Sequence, residues 1–144
     1  MRQDIDKIAV AAGDRFFGAQ TVYGYQTQVW LGRLRFHIFH REDPGEALHD
    51  HPWDFWTFPL TSYVEQVLDD PTDIIDRRIV PAFRWSFRRA AHTHRIIGRA
   101  KGRGPIVTLV WRGRGGRPWH YVNVKNGKVH RLPWRRYLEL ADRQ

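Results

Sequence analysis

Apolar and aromatic residues recur along this chain in short runs that Gly, Pro and Asp separate. Runs of about four to eight residues rich in Val, Ile, Phe, Trp and Tyr are typical of β-strands rather than of helices. A short helix is predicted over 4–17, and a second over 134–141, where Pro133 can open it. The pattern predicts nine strands, over 26–31, 34–40, 56–60, 63–68, 76–80, 83–87, 93–97, 106–111 and 120–124.

The predicted elements indicate an all-β fold class with short N- and C-terminal helical segments. Many short strands at near-regular spacing, without strand–helix alternation, favour an antiparallel sandwich or barrel over a parallel sheet. At 144 residues the chain has the length of a single domain. We therefore expect one domain over 1–144, with a barrel core at about 26–124.

Alternation within the second predicted strand distinguishes its two faces. Leu34, Phe36 and Ile38 share one face with His40, and arginines occupy the opposite face. Successive side chains of a strand point to opposite sides, and the apolar side of a sheet is usually buried. The pattern predicts that the apolar face points inward and carries His40 with it. An inward His40 is either a hydrogen-bonded core residue or a residue that binds a metal or orients a ligand.

Composition excludes several kinds of chemistry. The chain has no cysteine, which excludes disulfides, cysteine zinc sites, iron–sulfur clusters and thiol catalysis. No apolar stretch approaches the roughly 18 residues that span a bilayer, and acids interrupt the N-terminus where a signal peptide would be basic and then apolar. We therefore expect a cytoplasmic protein with no membrane partner.

The net charge of +9 is unevenly distributed. Residues 1–76 hold six Lys or Arg and thirteen Asp or Glu, whereas residues 77–144 hold eighteen and two. A basic half favours an anionic partner, either a small phosphorylated or carboxylate molecule or a nucleic acid. The alternative is that the two halves interleave in one fold and pair their charges.

Two histidine pairs suggest a metal site. His49 and His51 form one His-x-His pair, and His92 and His94 form a second. On a strand, residues i and i+2 point to the same face, so each pair can direct two imidazoles at one ion. Asp54 follows the first pair closely enough to be a ligand or to orient a ligand. The sequence contains no HExxH, GxSxG, Walker or dinucleotide-binding motif.

The residues around both pairs resemble the cupin metal motifs. LHDHPWDF at 48–55, followed by a Tyr-x-Glu strand, is similar to the first motif, and AHTHRI at 91–96 is similar to the second. The first stretch is also similar to that of small cupin-like proteins of bacteria and phages. The resemblance implies a double-stranded β-helix, the jelly-roll barrel of cupins, and a homodimer.

The resemblance also implies one divalent metal ion inside the barrel, bound by His49, His51 and His94. Imidazole ligands suit Fe, Zn, Ni or Mn. Cupins place a glutamate four or five residues after the second histidine, whereas Asp54 lies one residue short of that place. A three-histidine site and a site completed by Asp54 therefore both stay open. His92 is a fourth ligand, an acid or base of the pocket, or a solvent-facing residue.

Aromatic residues near the two pairs are the predicted walls of the pocket. With the aromatic residues inward, Arg84 and Arg88 face solvent. If that strand instead lines a polar pocket, the same arginines could bind a carboxylate or phosphate. The predicted wall residues are Trp53, Phe55, Trp85, Phe87 and Trp111.

The function that these features favour is a metal-dependent enzyme acting on a small anionic molecule. Open positions on iron permit oxygenation, and those on zinc or manganese permit isomerisation or epimerisation through Lewis-acid chemistry. The first alternative is a non-catalytic module that binds a small ligand or only the metal. The second is a nucleic-acid-associated protein that uses the basic C-terminal half.

Overall fold

The computed structural model describes residues 16–22, 26–43, 46–69 and 74–141. Within these ranges the chain forms twelve strands and one helix. They are β1 (Phe17–Val22), β2 (Gln26–Leu31), β3 (Leu34–Phe39), β4 (Leu48–His49), β5 (Phe55–Pro59), β6 (Tyr63–Asp69), β7 (Ile74–Val80), β8 (Ser86–Arg88), β9 (His94–Arg99), β10 (Ile106–Arg112), β11 (His120–Lys125), β12 (Lys128–Pro133) and α1 (Trp134–Ala141).

The all-β prediction is confirmed. Each predicted strand overlaps an observed one, with ends that differ by at most three residues, and α1 has its predicted bounds. The sequence pattern missed β1, β4 and β12. β4 has only two residues, and in β12 apolar residues are interspersed with Lys, His and Arg. These strands are therefore defined by backbone pairing with their neighbours more than by apolar content. The predicted helix over 4–17 lies outside the described residues except at its end, where β1 begins.

The strands form two six-stranded antiparallel sheets. Sheet 1 has the order β1-β2-β3-β10-β5-β8, and sheet 2 has the order β12-β11-β4-β9-β6-β7. β10 lies between β3 and β5, and β9 lies between β4 and β6, so the chain alternates between the sheets instead of forming simple meanders. Two curled antiparallel sheets connected in this way are a jelly roll.

A hydrophobic cluster joins the two sheets at one end. Phe39 and Ile106, which pair with each other in sheet 1, pack with Tyr63, Val80 and Ile96 of sheet 2. All five side chains are buried. The cluster shows that the face of β3 that carries Phe39 is the inner face of sheet 1.

This orientation corrects the predicted faces of β3. Arg35 shares the inner face with Phe39 and is buried, whereas the apolar face that was expected inside points outward. His40 is exposed, and its Nε2 lies 2.8 Å from the Thr27 hydroxyl. Alternation identifies two faces of a strand, but here the inner one is the more polar. The outward side chains are Leu34, Phe36 and Ile38.

Polar side chains cover the inner face of sheet 1 away from the hydrophobic cluster. Val110 lies opposite Arg35 on one side and opposite Thr57 on the other, so all three share the inner face. Thr108, two residues before Val110, belongs to the same face, and its side chain is buried as well. The interior of the jelly roll is therefore apolar at one end and polar at the other.

We predict that Gly113→Ala destabilises the fold. The Gly113 N–H donates to the carbonyl oxygen of Asp54, and an added Cβ would lie 2.6 Å from that oxygen. The backbone beside β5 must shift to relieve this contact, at a cost of about 1–3 kcal/mol in the free energy of unfolding, measured by urea denaturation.

Gly116→Ala is the matched control for this substitution. A Cβ at Gly116 meets no atom within 4 Å, and neither glycine has a positive φ. The effect of alanine on the unfolded chain is common to both variants. We expect Gly116→Ala to change stability by no more than about 0.5 kcal/mol. Equal losses in the two variants would refute the steric explanation.

Candidate metal centre

Three histidine rings converge on the inner face of sheet 2. His49 on β4 pairs directly with His94 on β9, and their ring centroids are 5.0 Å apart. His51 follows two residues after His49, and its ring lies 5.3 Å from that of His49 and 4.9 Å from that of His94. The three side chains offer ligand atoms that all lie within 4.8 Å of one another. The structure thus brings together the three histidines that the resemblance to cupin motifs implied.

Two of these rings are held by hydrogen bonds at Nδ1. His94 Nδ1 lies 2.7 Å from the Glu65 Oε2, and His51 Nδ1 lies 3.0 Å from the carbonyl oxygen of His92. Both acceptors require a hydrogen on Nδ1, which leaves the lone pair on Nε2. This is the arrangement that orients histidines as metal ligands in proteins.

His49 has a carboxylate on the same side. Its Nδ1 lies 3.9 Å from Asp43 Oδ2, which is too long for a direct hydrogen bond. The same Oδ2 accepts a 2.8 Å hydrogen bond from the Ile96 N–H, so Asp43 is fixed against β9. The negative charge of Asp43 thus favours a hydrogen on the near nitrogen of His49 and leaves Nε2 for a ligand.

Burial keeps the imidazoles of His49 and His51 neutral. Desolvation lowers the pKa of His49 to about 4, because the nearby carboxylate of Asp43 only partly offsets it. Desolvation also lowers the pKa of His51 well below its usual value, and the neighbouring His94 and His49 rings lower it further. Both histidines are therefore unprotonated near neutral pH, which is the form that binds metal.

Glu65 is the buried centre of the second half of the cluster. It lies on β6, is 1% exposed and contacts groups from two other strands. Arg88 Nη2 lies 3.3 Å from Oε1, and His92 Nε2 lies 3.7 Å from Oε2. Burial alone would raise the pKa of Glu65, but contacts with His92, His94 and Arg88 lower it well below its usual range. Glu65 is therefore a carboxylate that links β6, β8 and β9.

His92 belongs to this network and not to the solvent-facing surface. Its Nε2 lies 3.3 Å from Arg88 Nη1, and its ring stacks on that of His51 with centroids 6.4 Å apart. Burial lowers the pKa of His92 despite the adjacent Glu65. Glu65, His92 and His94 form a second set of side chains whose ligand atoms lie within 4.8 Å of one another.

Sequence reasoning gave Glu65 no role. The available signal was its position in β6, where it shares one face with Tyr63 and Val67, both buried. An acid between two core residues on the same strand face needs a buried partner. That partner comes from β8 and β9, which lie far from Glu65 in the sequence.

Asp50 holds the first histidine pair from the opposite side of sheet 2. It is 3% exposed, and its Oδ1 accepts a 2.6 Å hydrogen bond from the His120 N–H. Its Oδ2 accepts a 3.1 Å hydrogen bond from Arg117 Nη2. These contacts tie the segment between His49 and His51 to β11. A cavity of about 290 Å³ lies on this outer side, lined by Asp50, Leu68, Ala91, Thr93, Arg117, His120 and Arg131.

Asp54 lies outside the cluster, which corrects its predicted role. Its side chain is exposed, and Oδ1 accepts a 2.7 Å hydrogen bond from the Ala90 N–H. Its carbonyl oxygen accepts the Gly113 N–H. Both bonds are structural, because they connect the start of β5 to neighbouring loops and direct the carboxylate away from the histidines.

One of the five predicted wall residues contacts a histidine of the cluster, and a second contacts that wall residue. The Phe55 ring lies 4.6 Å from that of His51, and the Trp53 ring lies 5.6 Å from that of Phe55. Phe55 is buried, so it covers one side of the cluster with an apolar surface.

The other three wall residues lie on the outer face of sheet 1. Trp85, Phe87 and Trp111 are 50%, 48% and 42% exposed, so they line no pocket at the histidines. The register explains this correction, since Arg88 pairs with Phe55 and therefore shares its inner face. The neighbouring Phe87 must then point outward. Of the two arginines considered for a polar pocket, Arg88 faces the interior, where it pairs with Glu65, and Arg84 is exposed.

A second arginine faces the interior from β3. Arg35 is buried with its guanidinium carbon 5.6 Å from the Trp30 ring and 5.8 Å from the Trp53 ring. Its Nη1 donates to Gln28 Oε1 at 3.4 Å. Burial and the charge of Arg112 lower the pKa of Arg35 to about 10, so it remains a cation at neutral pH. Positive charge therefore faces the interior of the jelly roll.

Comparison with solved structures identifies the architecture. The chain resembles the Drosophila melanogaster CENP-C cupin domain with a TM-score of 0.53 and 8% identity, over 67% of this chain and 75% of that chain. It has the cupin fold. The chain also resembles the structure of hydroxypropylphosphonic acid epoxidase from S. wedmorenis in complex with fosfomycin, with a TM-score of 0.52 and 15% identity.

That second match covers 67% of this chain and 55% of the epoxidase, so the chain spans little more than half the length of that protein. A structure of Fe(II) HppE matches with a TM-score of 0.53 at 15% identity, over 67% of this chain and 56% of that chain. No protein-family model matches the sequence, and a search of curated proteins finds no relative. At these identities the likeness shows the fold alone.

We predict that Glu65→Ala lowers the free energy of unfolding by about 3–5 kcal/mol, because it leaves Arg88 without its buried counter-ion. The measurement is made on chelator-treated protein. Glu42→Ala is the matched control, since Glu42 also pairs with an arginine at 3.3 Å but is 56% exposed. It should cost at most about 1 kcal/mol. Similar costs for the two variants would contradict the central role given to Glu65.

The buried ring of His37 predicts how the stability of the fold depends on pH. It lies opposite Gln28 and Thr108 on the inner face of sheet 1, and its Nε2 is buried without a hydrogen-bond partner. Desolvation, with a contribution from Arg35, lowers the pKa of His37 to about 3. The unfolded chain therefore takes up a proton at higher pH than the folded chain does.

Folding stability contributed by neutral His37 is complete above about pH 6.5 and is lost as the pH falls towards 3. His37→Gln should reduce the slope of unfolding free energy against pH in this window by up to about 1.4 kcal/mol per pH unit. Contributions from His49 and His51 are common to both proteins and cancel in the difference. An unchanged slope in His37→Gln would refute the prediction.

Proposed function

We propose that this chain is a metal-binding cupin that holds one divalent ion on His49, His51 and His94. The observation that carries the proposal is the convergence of three imidazoles, each with a fixed acceptor or a carboxylate on its Nδ1 side. Three nitrogen ligands on one side of an ion leave further coordination positions open.

The donor set fits a borderline metal. Imidazole nitrogens suit Fe, Zn, Ni or Mn, and the described cluster offers no thiolate, since the chain has no cysteine. When bound, such an ion would supply a Lewis acid or, as iron, a centre for oxygen chemistry. Glu65 orients His94, the carbonyl of His92 orients His51, and Phe55 excludes water from one side.

The charge of the interior supports a small anionic ligand. Arg88 pairs with Glu65, and Arg35 and Arg112 both lie on the inner face of sheet 1. Guanidinium groups bind carboxylate and phosphate in a bidentate geometry. The fold neighbour hydroxypropylphosphonic acid epoxidase, by its name, is consistent with an anionic ligand. The structure of Fe(II) HppE is consistent with iron as the metal. We propose an oxygenase-type reaction first and an isomerase or epimerase reaction next.

The second candidate is a module that binds a metal or a small ligand without turnover. One observation favours it: the cavity of about 290 Å³ lies behind the histidines, on the outer side of sheet 2. On the inner side of sheet 2, by contrast, aromatic rings pack closely around His49 and His51. This packing restricts any ligand of the metal to a small molecule.

Other expectations remain proposals. A single domain over 1–144, a cytoplasmic location and a homodimer are consistent with the cupin resemblance of the motifs. Among the described residues, the helix α1 is too short to cross a membrane.

Metal content tests the proposed site. Untagged wild-type protein, analysed by mass spectrometry, should contain about one equivalent of a divalent metal, because three oriented imidazoles form a high-affinity site. The His49→Ala/His51→Ala double variant should contain almost none while retaining its circular dichroism spectrum.

His40→Ala is the control, because it removes an exposed histidine from the outer side of sheet 1. It should retain the wild-type metal content. The proposal fails if wild-type protein takes up no Fe, Zn, Ni or Mn on reconstitution. It also fails if the double variant binds as much metal as wild type.

A further inference from the structure

The cavity on the outer side of sheet 2, which we call the outer cavity, is separate from the histidine cluster. Two of its lining residues, Asp50 and Thr93, each lie between the members of a His-x-His pair and point to the opposite side. Its volume of about 290 Å³ is near the lower end of the range for small-molecule pockets. The outer cavity can therefore hold a small molecule that does not touch the histidine cluster.

Two guanidinium groups line the outer cavity from different parts of the chain. Arg131 lies on β12, and Arg117 lies on the loop between β10 and β11. Arg131 is exposed, and among the residues that the structure describes its side chain has no hydrogen-bond or ion-pair partner. Two guanidinium groups that face one cavity repel each other, and an anion placed between them removes that repulsion.

The acid of the outer cavity does not neutralise both arginines. Asp50 is 3% exposed, and its Oδ2 accepts a 3.1 Å hydrogen bond from Arg117 Nη2. Its Oδ1 accepts the His120 N–H, and the Asp50 N–H donates to the His120 carbonyl oxygen at 3.1 Å. Asp50 is thus fixed against β11 and matches the charge of Arg117. Within the described part of the chain, the charge of Arg131 is left unmatched.

The outer cavity also has an apolar wall. Leu68 lines it and packs with Leu48 and Val122 in a buried cluster. Ala91 adds a small, exposed side chain to the lining. An inorganic ion would leave this apolar surface in contact with water, whereas an organic anion can cover it.

We propose that the outer cavity binds a small organic anion whose phosphate or carboxylate group lies between Arg117 and Arg131. Arg117 donates to Asp50 and to the carbonyl oxygen of Pro118, which leaves further N–H groups of the same guanidinium for an oxyanion. All the N–H groups of Arg131 are available to the same ligand, and guanidinium groups bind both kinds of oxyanion in a bidentate geometry.

This site requires no metal. It goes beyond the proposed metal centre, because a ligand of the outer cavity lies on the opposite side of sheet 2 from the three histidines that would hold the ion. The chain would then bind two kinds of ligand, a divalent metal ion on the inner side and an organic anion on the outer side.

Titration of the isotope-labelled full chain with phenyl phosphate, followed by amide NMR spectra, tests the proposal. The amide signals of Thr93 and His120, which line the outer cavity, should shift with a dissociation constant in the millimolar range or below. The signal of Val110 in sheet 1 should not shift. Inorganic phosphate should bind at least about threefold more weakly, because it has no apolar part to cover Leu68. Equal affinities would overturn the assignment of an organic anion.

Benzoate identifies the anionic group of the ligand, because it offers a carboxylate on the same ring. Binding of either compound at Thr93 and His120 supports the proposal, and the tighter of the two shows which group the arginines favour. Binding of neither compound overturns the proposal.

Two substitutions separate charge from space. Arg131→Ala removes the unmatched cation from an exposed position, so the fold should persist while the dissociation constant rises at least about tenfold. Ala91→Leu leaves the charge unchanged but occupies part of the outer cavity, and it should also weaken binding. A folded Ala91→Leu variant that binds phenyl phosphate as wild type does would contradict the proposed position of the ligand.

Lys128→Ala is the matched control. It removes the same charge from an exposed position on the same strand, but Lys128 is not among the described residues that line the outer cavity. It should retain the wild-type dissociation constant. Equal losses in Lys128→Ala and Arg131→Ala would overturn the proposal, because they would show attraction to the overall positive charge of the chain.

Metal dependence separates this site from the metal centre. Protein treated with a chelator and protein reconstituted with a divalent metal should bind phenyl phosphate alike. Binding that occurs only after reconstitution would place the anion on the metal and overturn the proposal. If the histidines hold no metal, the proposed function fails, but the titration of the chelator-treated protein still decides whether the outer cavity binds the anion.

Discussion

The buried carboxylate of Glu65 is the contact on which the polar half of the interior depends. It joins His94 and His92 of sheet 2 to Arg88 of sheet 1, and it is 1% exposed. A carboxylate in such a place is stable only when its partners are present, because desolvation of an unpaired charge costs several kcal/mol. The position of β8, with Arg88 inward, follows from this requirement, as does the fixed orientation of His94.

The polar interior explains why sheet 1 has its apolar side outward. Arg35, Thr57 and Thr108 occupy inner positions that a sandwich normally fills with aliphatic residues. Each strand alternates, so the apolar residues of β3, β10 and β5 are placed on the opposite face. A single arrangement therefore produces both a polar interior beside the histidines and, among the described residues, an apolar outer surface on sheet 1.

Fold and function rest on different residues in this molecule. Solved structures that are 8% and 15% identical to it share the cupin fold, so the two-sheet architecture tolerates almost complete sequence change. The hydrophobic cluster of Phe39, Ile106 and their neighbours maintains that architecture at one end. The proposed metal site lies at the other end, where it depends on particular nitrogens and their acceptors.

The sequence alone determined the all-β class and the bounds of α1, because the periodicity of strands and helices is a local property. The resemblance of its two His-x-His motifs to those of cupins singled out the three histidines that converge. Tertiary structure decided which face of β3 and β8 is inside, since alternation distinguishes two faces but does not label them. It also decided the roles of Glu65 and Asp54: Glu65 meets partners from distant strands, whereas Asp54 is turned outward to bind the Ala90 N–H. Which polar groups are buried together depends on the register of both sheets, and that register is a property of the whole chain.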